Sequence, residues 1–130
     1  MAALERLIYA SRATRPTDSL LNLSEILAVS HRNNQRDGLT GALAVHQGRF
    51  IQVIEGGRDA LDGLLNRLRS DERHSDIEVL DRRPVTARTF TDWTMGSARI
   101  TPELDQALST LMADSGVSPE RTVALMKAAV

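Results

Sequence analysis

Leu39-Thr40-Gly41-Ala42-Leu43-Ala44-Val45-His46 and Arg49-Phe50-Ile51-Gln52-Val53-Ile54-Glu55 are two apolar runs separated only by Gln47-Gly48. That pattern predicts a β-hairpin, and the rest of the chain arranges itself around it. Upstream, Leu20, Leu23, Leu27, Ser30 and Asn34 recur at three- and four-residue steps, which is one face of a helix. Pro16-Thr17-Asp18 supplies its start signal and Gly38 its stop. Leu4 to Ala10 predicts a short strand before that helix. Downstream, Leu61, Leu64, Leu65 and Leu68 form the stripe of a second helix that fades near Asp71. Ile77 to Leu80 predicts a further short strand, and a last one falls within Val85 to Ala98. The order β-α-β-β-α-β-β, with two helices on one side of a mostly antiparallel sheet, is the ferredoxin-like α+β plan.

The final thirty residues differ in character. Thr101-Pro102-Glu103 and Ser118-Pro119-Glu120 each present a cap, a first-turn proline and a first-turn acid. Leu104, Leu108, Leu111 and Met112, then Val123 and Met126, are apolar at helical spacing, with Asp114-Ser115-Gly116 as the turn between them. The expected division is a domain over residues 1–100 and a C-terminal two-helix appendage over 101–130, too small to stand as a domain of its own.

At 130 residues the chain is long enough to close a core without covalent staples. With no cysteine it has no disulfide, thiolate nucleophile or thiolate metal site. Sixteen basic and seventeen acidic residues leave a net charge of −1, and the basic ones are scattered. That argues against sequence-independent binding of nucleic acid or an anionic membrane. Met1 to Arg6 lacks the apolar stretch of a signal peptide, and no run approaches the roughly 20 apolar residues that span a bilayer. A soluble cytoplasmic protein without a bound metal is the expectation.

Four polar or aromatic features stand where core residues belong. Asn34 ends the apolar stripe of the first helix in an amide, which must find partners or cost about 1–3 kcal/mol. A helix C-terminal cap is its ordinary explanation. Gln52 shares a strand face with Phe50 and Ile54, and an amide there has up to four hydrogen bonds to place. A sheet-edge position that reaches water would also accommodate it. Tyr9 lies on the Leu7 side of the first strand, where a half-buried tyrosine is commonplace. Trp93 and Met95 share a face if their segment is extended, and core filling is the usual role for both.

Taken with their flanking residues, these features resemble the blue-light-using flavin domain family, BLUF. Leu7-Ile8-Tyr9-Ala10-Ser11 is similar to the family's first strand. Ser30-His31-Arg32-Asn33-Asn34 with Leu39-Thr40-Gly41-Ala42-Leu43 is similar to its helix end and second strand. Phe50-Ile51-Gln52-Val53-Ile54-Glu55-Gly56 matches its third strand and Asp71-Glu72-Arg73-His74 the end of its second helix. Arg88-Thr89-Phe90 with Trp93-Thr94-Met95 matches its closing motif. The resemblance covers residues 4 to about 98, and the tail beyond Ile100 lies outside it.

What the resemblance implies is a flavin ring held between the two helices. Its apolar end would lie against Ile26 and Leu68, and its polar edge against Asn34. Gln52 would stand between Tyr9 and the ring, with Trp93 and Met95 beside it. Ser30, Arg32, Asn33, Arg67, Asp71 and His74 would line the pocket or its mouth. FAD is the implied flavin, with FMN or riboflavin as alternatives, since the chain has no Gly-rich phosphate cradle of the dinucleotide type. The implied chemistry is photochemical rather than enzymatic, so no catalytic residue is assigned. Light would draw an electron from Tyr9, a proton would follow through Gln52, and Gln52 would end rotated or tautomerised. Output would pass to a separate protein partner, with self-association into a homo-oligomer expected. Two rivals were weighed. One is a ferredoxin-like acylphosphatase using an arginine and an asparagine, but no anion-binding loop is recognisable. The other is a colourless ligand-sensing or oligomerisation module. The acylphosphatase reading also leaves Gln52 and Trp93 unexplained, and the colour of the purified protein separates all three readings.

Overall fold

The computed structural model describes residues 4–13, 32, 36–46, 49–70, 74–90, 96–97, 101–113 and 119–129. Their strands are β1 (Leu4–Ala13), β2 (Thr40–His46), β3 (Arg49–Gly57), β4 (His74–Pro84) and β5 (Gly96–Ser97). Their helices are α1 (Arg58–Ser70), α2 (Pro102–Ala113) and α3 (Glu120–Ala129). The sheet order is β4-β1-β3-β2-β5, antiparallel throughout except for β2 with β5. This is the ferredoxin-like α+β arrangement. The predicted hairpin forms β2 and β3, whose ladder runs from Thr40↔Glu55 to His46↔Arg49. A Cβ on Gly41 would collide with the Val53 carbonyl oxygen, so glycine is what lets the two backbones close here. Most of the predicted first helix lies outside the described residues. Arg36 and Asp37 are helical and run into Gly38 at φ 69°, the left-handed stop that glycine supplies without strain.

Alternation along each strand divides the core in two. Leu7, Leu43, Phe50 and Ile54 point to the front face, where they meet Leu61, Leu64, Leu65 and Leu68 of α1. Ile8, Ala10, Ala42, Ala44, Ile51 and Val53 point to the back face, where they meet Phe90, Leu104, Leu108, Leu111, Val123 and Met126. Both faces of β2 and β3 are therefore buried, which is why their sequences read as nearly unbroken apolar runs. The predicted two-helix appendage is packed on the sheet. Thr101 Oγ1 caps α2 by accepting from the Leu104 N–H at 3.2 Å. The apolar stripes of α2 and α3 are both turned inward, so they cover the back face rather than offering it to a partner.

Of Asp71–His74, matched above to a helix end, residues 71–73 lie outside the described residues; the described helix α1 ends at Ser70, and His74 is the first residue of β4 rather than part of a helix. β4 reaches from His74 to Pro84 because pairing with β1 holds it, although Ser75, Asp76, Glu78 and Asp81 give it little apolar pattern. Of the predicted strand within Val85 to Ala98, the described part is Gly96–Ser97, and residues 91–95 and 98 lie outside the described residues. Residues 85–90 instead cross from the β4 edge of the sheet toward the opposite edge, and a crossing segment cannot pair along a strand. Their attachments follow the order of the sheet. The Val85 N–H donates to the Leu4 carbonyl on β1 (3.1 Å), and the Thr89 and Phe90 N–H groups donate to Glu55 on β3 (2.7 and 2.9 Å). Arg88 reaches Thr40 Oγ1 on β2 at 2.9 Å.

The helical pair is fastened to β1 by charge. Arg6 is buried, and its Nη2 donates to Glu120 Oε1 at 2.5 Å. That hydrogen bond holds the Glu120 carboxyl below the usual carboxylate range, against a smaller opposing cost of desolvation. Because the folded value is depressed, the pair contributes in full above the ordinary glutamate pKa of about 4.3 and is lost as pH falls through the lowered value. Glu120→Gln should cost about 1 kcal/mol at neutral pH, since exposure screens the pair while the guanidinium it leaves is buried. Denaturant melts between neutral pH and pH 3 should then converge with wild type in acid. Parallel curves would show that Glu120 is not the group responsible.

Candidate functional site

One row of residues crosses the front of the sheet: Val79 on β4, Tyr9 on β1, Gln52 on β3 and Leu43 on β2 are successive cross-strand partners. Tyr9 is fully buried, and Gln52 is 2 % exposed. Gln52 therefore sits in the middle of the sheet and not at an edge, with Phe50 and Ile54 before and after it on the same face. The β1–β4 register shifts between Ile8 and Tyr9 and again between Ala10 and Arg12. Such irregularities re-aim side chains, and here they flank the tyrosine.

Helix α1 roofs part of this row. Asp59 in its first turn and Arg67 and Arg69 in its last complement the helix dipole. Leu64, Leu65 and Leu68 keep 7–8 % exposure, whereas Leu7, Tyr9 and Ile54 beneath them are sealed. Arg67 Nη2 forms an ion pair with Asp37 Oδ2 at 2.9 Å, which ties α1 to the turn before Gly38. The Asp37 carboxyl is held below its ordinary range, chiefly by the hydrogen bond from Arg36 and with a contribution from Arg67. Arg67 Nε is buried and has no hydrogen-bond partner among the described residues.

The structure thus brings Tyr9, Gln52 and Leu68 to one face and sets Arg67 at its rim. Arg32 is helical and exposed. His74 pairs with Ala13 at one end of the sheet. Ile26, Ser30, Asn33, Asn34, Asp71, Trp93 and Met95 lie outside the described residues. Reading the sequence assigned no role to Leu43 and Val79, which extend the row on either side, or to Glu55 and Arg88, which fix the crossing segment. A lone acid ending the apolar run Phe50–Ile54 was the signal for Glu55.

These groups fit a flavin ring. A buried amide can donate and accept at once, a phenol stands beside it, and the surrounding wall is flat and apolar. An orphaned guanidinium N–H at the rim is free for an acceptor. Among the described residues no group of three or more acids and histidines could hold a metal, and no helix is long and apolar enough to cross a membrane.

The family model described as sensors of blue-light using FAD matches residues 4–96. Over 96 residues the chain is 40 % identical to the photoactivated adenylate cyclase subunit beta of Euglena gracilis, covering 73 % of this chain but 11 % of that protein. The solved dark state of BlrB, a BLUF protein, is 31 % identical, with a TM-score of 0.75 over 99 % of this chain and 97 % of that one. BlsA in its photo-activated state has a TM-score of 0.81 at 22 % identity, over 98 % and 96 % of the two chains, which is a likeness of fold. Both structural matches run through α2 and α3, beyond the reach of the sequence motifs. On this evidence the chain belongs to the BLUF family of flavin-binding blue-light sensor domains.

Proposed function

We propose that this chain binds FAD non-covalently on the front face and reports blue light by rearranging Gln52, without turning over a substrate. The observation that carries this is the burial of the Gln52 amide between Tyr9 and Leu43 in a sealed apolar sheet. When bound and illuminated, the flavin supplies a strong one-electron oxidant. Tyr9 would be the electron donor, its hydroxyl proton following through the Gln52 side chain and returning as charge recombines. Gln52 would be left rotated or tautomerised, with a stronger donor turned to the bound ring. A net hydrogen bond is worth only about 0.5–1.5 kcal/mol, so the switched state lasts by a kinetic barrier. Asn34 holds the ring's polar edge, and Ile26 and Leu68 its apolar end. Ser30, Arg32, Asn33, Arg67, Asp71 and His74 surround the pocket or its mouth, with FMN or riboflavin able to take the same place.

The sensor unit spans 1–100, and the helical pair over 101–130 relays the change, by way of Trp93 and Met95, to a separate cytoplasmic partner or to a second copy of the chain. The purified protein should be yellow, and its visible band should move reversibly to longer wavelength under blue light. A colourless preparation that also refuses added FAD, FMN and riboflavin would overturn the proposal.

A further inference from the structure

Glu55 is a carboxylate with no exposure at all, three residues beyond Gln52 on β3 and on the opposite face. Its Oε1 accepts both backbone N–H groups of Thr89 and Phe90. Its Oε2 is buried and has no hydrogen-bond partner among the described residues. Two arginines among the described residues neighbour it. Arg6 is its direct cross-strand neighbour on β1, spends its Nη atoms on Glu120, and keeps a buried Nε without a partner among the described residues. Arg88 donates to the Glu55 carbonyl oxygen (3.0 Å), to the Gly38 carbonyl oxygen (2.9 Å) and to Thr40 Oγ1 (2.9 Å). One carboxyl oxygen that accepts two converging N–H donors fixes the chain that carries them.

That chain enters the stretch holding Trp93 and Met95. At its near end it is pinned by Glu55, Arg88 and the buried Phe90 ring. At its far end Gly96 and Ser97 pair with Ala42 and Leu43. Ser97 thereby joins the row of Leu43, Gln52 and Tyr9. Glu55 and Arg88 thus hold the last described residues before this stretch, and the pairing with β2 holds the first described ones after it.

We propose that Glu55 is a positioning residue for the photoswitch: from the back of the sheet it sets the register of the segment bearing Trp93 and Met95. This rests on the proposed place of those two side chains beside Gln52. Trp93 is the single tryptophan, so its emission reports the segment directly, with or without flavin. In Glu55→Ala, Trp93 emission should move to longer wavelength and become more quenchable by acrylamide in the flavin-free protein. In the flavin-loaded protein, the dark-recovery rate should change roughly tenfold, the scale of one ionic hydrogen bond. Glu55→Gln keeps an acceptor oxygen for both N–H groups and should stay within about threefold of wild type, on the weaker neutral scale. Should Glu55→Ala fail to fold, Arg88→Met loosens the same segment from the β2 side and should shift Trp93 emission in the same direction. Folded Glu55→Ala, or Arg88→Met in its place, with wild-type emission and quenching would overturn the proposal. The emission test holds even if no flavin binds, so it fails separately from the reading of the site.

Discussion

Gln52→Leu is expected to purify as yellow as the wild type and to show no light-induced shift. The substitution suits its surroundings: Phe50, Ile54 and Leu43 are apolar neighbours on the same face, so a leucine there brings no polar atom of its own to satisfy. Folding and flavin retention should therefore survive, while the group proposed to relay a proton from Tyr9 is gone. Tyr9→Phe makes the complementary test. Its ring keeps the same sealed position, but the hydroxyl is lost and phenylalanine is a far poorer electron donor. Light-minus-dark visible spectra of the two variants check both expectations. A full shift in Tyr9→Phe would move the donor role elsewhere, with Trp93 the next candidate. A full shift in Gln52→Leu would sink the proposed switch outright.

The elements legible in the sequence were those whose burial leaves a period. Leu61, Leu64, Leu65 and Leu68 marked α1, and the β2–β3 hairpin stood out because both faces of its strands are covered. β4 was half missed, since an edge strand held by its ladder with β1 needs no apolar alternation and Ser75, Asp76 and Glu78 supply none. The crossing segment 85–90 imitated a strand because Val85 and Phe90 are apolar. Its course is set by hydrogen bonds to three different strands, and those depend on strand order. The site was legible in part. Gln52 and Tyr9 were conspicuous as polar groups on apolar faces, but that they are direct partners follows from the antiparallel register of β1 and β3. Glu55 passed unnoticed because its partners are backbone N–H groups, which carry no signature in side-chain identity. The helical pair was recognised as helices but not as the lid of the back face, since amphipathic spacing says that a stripe is buried without saying against what.

Leu108→Ala tests that last point and should be the costliest single change to stability. Leu108 has no exposure and lies at the centre of the back-face core, among Leu104, Leu111, Val123 and Met126 over the sheet's small residues Ala42 and Ala44. Truncating it opens a cavity that neighbours anchored on a rigid sheet fill poorly, a loss of about 2–5 kcal/mol. For a chain of this size the midpoint of thermal unfolding should fall on the order of 10 °C. Were the two helices an appendage hung from the end of the sheet, the same change would cost little, because the sheet would retain its own core. Leu108 lies across the sheet from Gln52, however, and touches nothing on the front row. The light-induced shift of the variant, measured well below its melting point, should therefore equal that of the wild type. Calorimetry and visible spectra on one sample decide both parts. A small loss of stability would return the helices to the status of an appendage, and a changed shift at full flavin occupancy would mean that the back-face packing reaches the switch through the sheet itself.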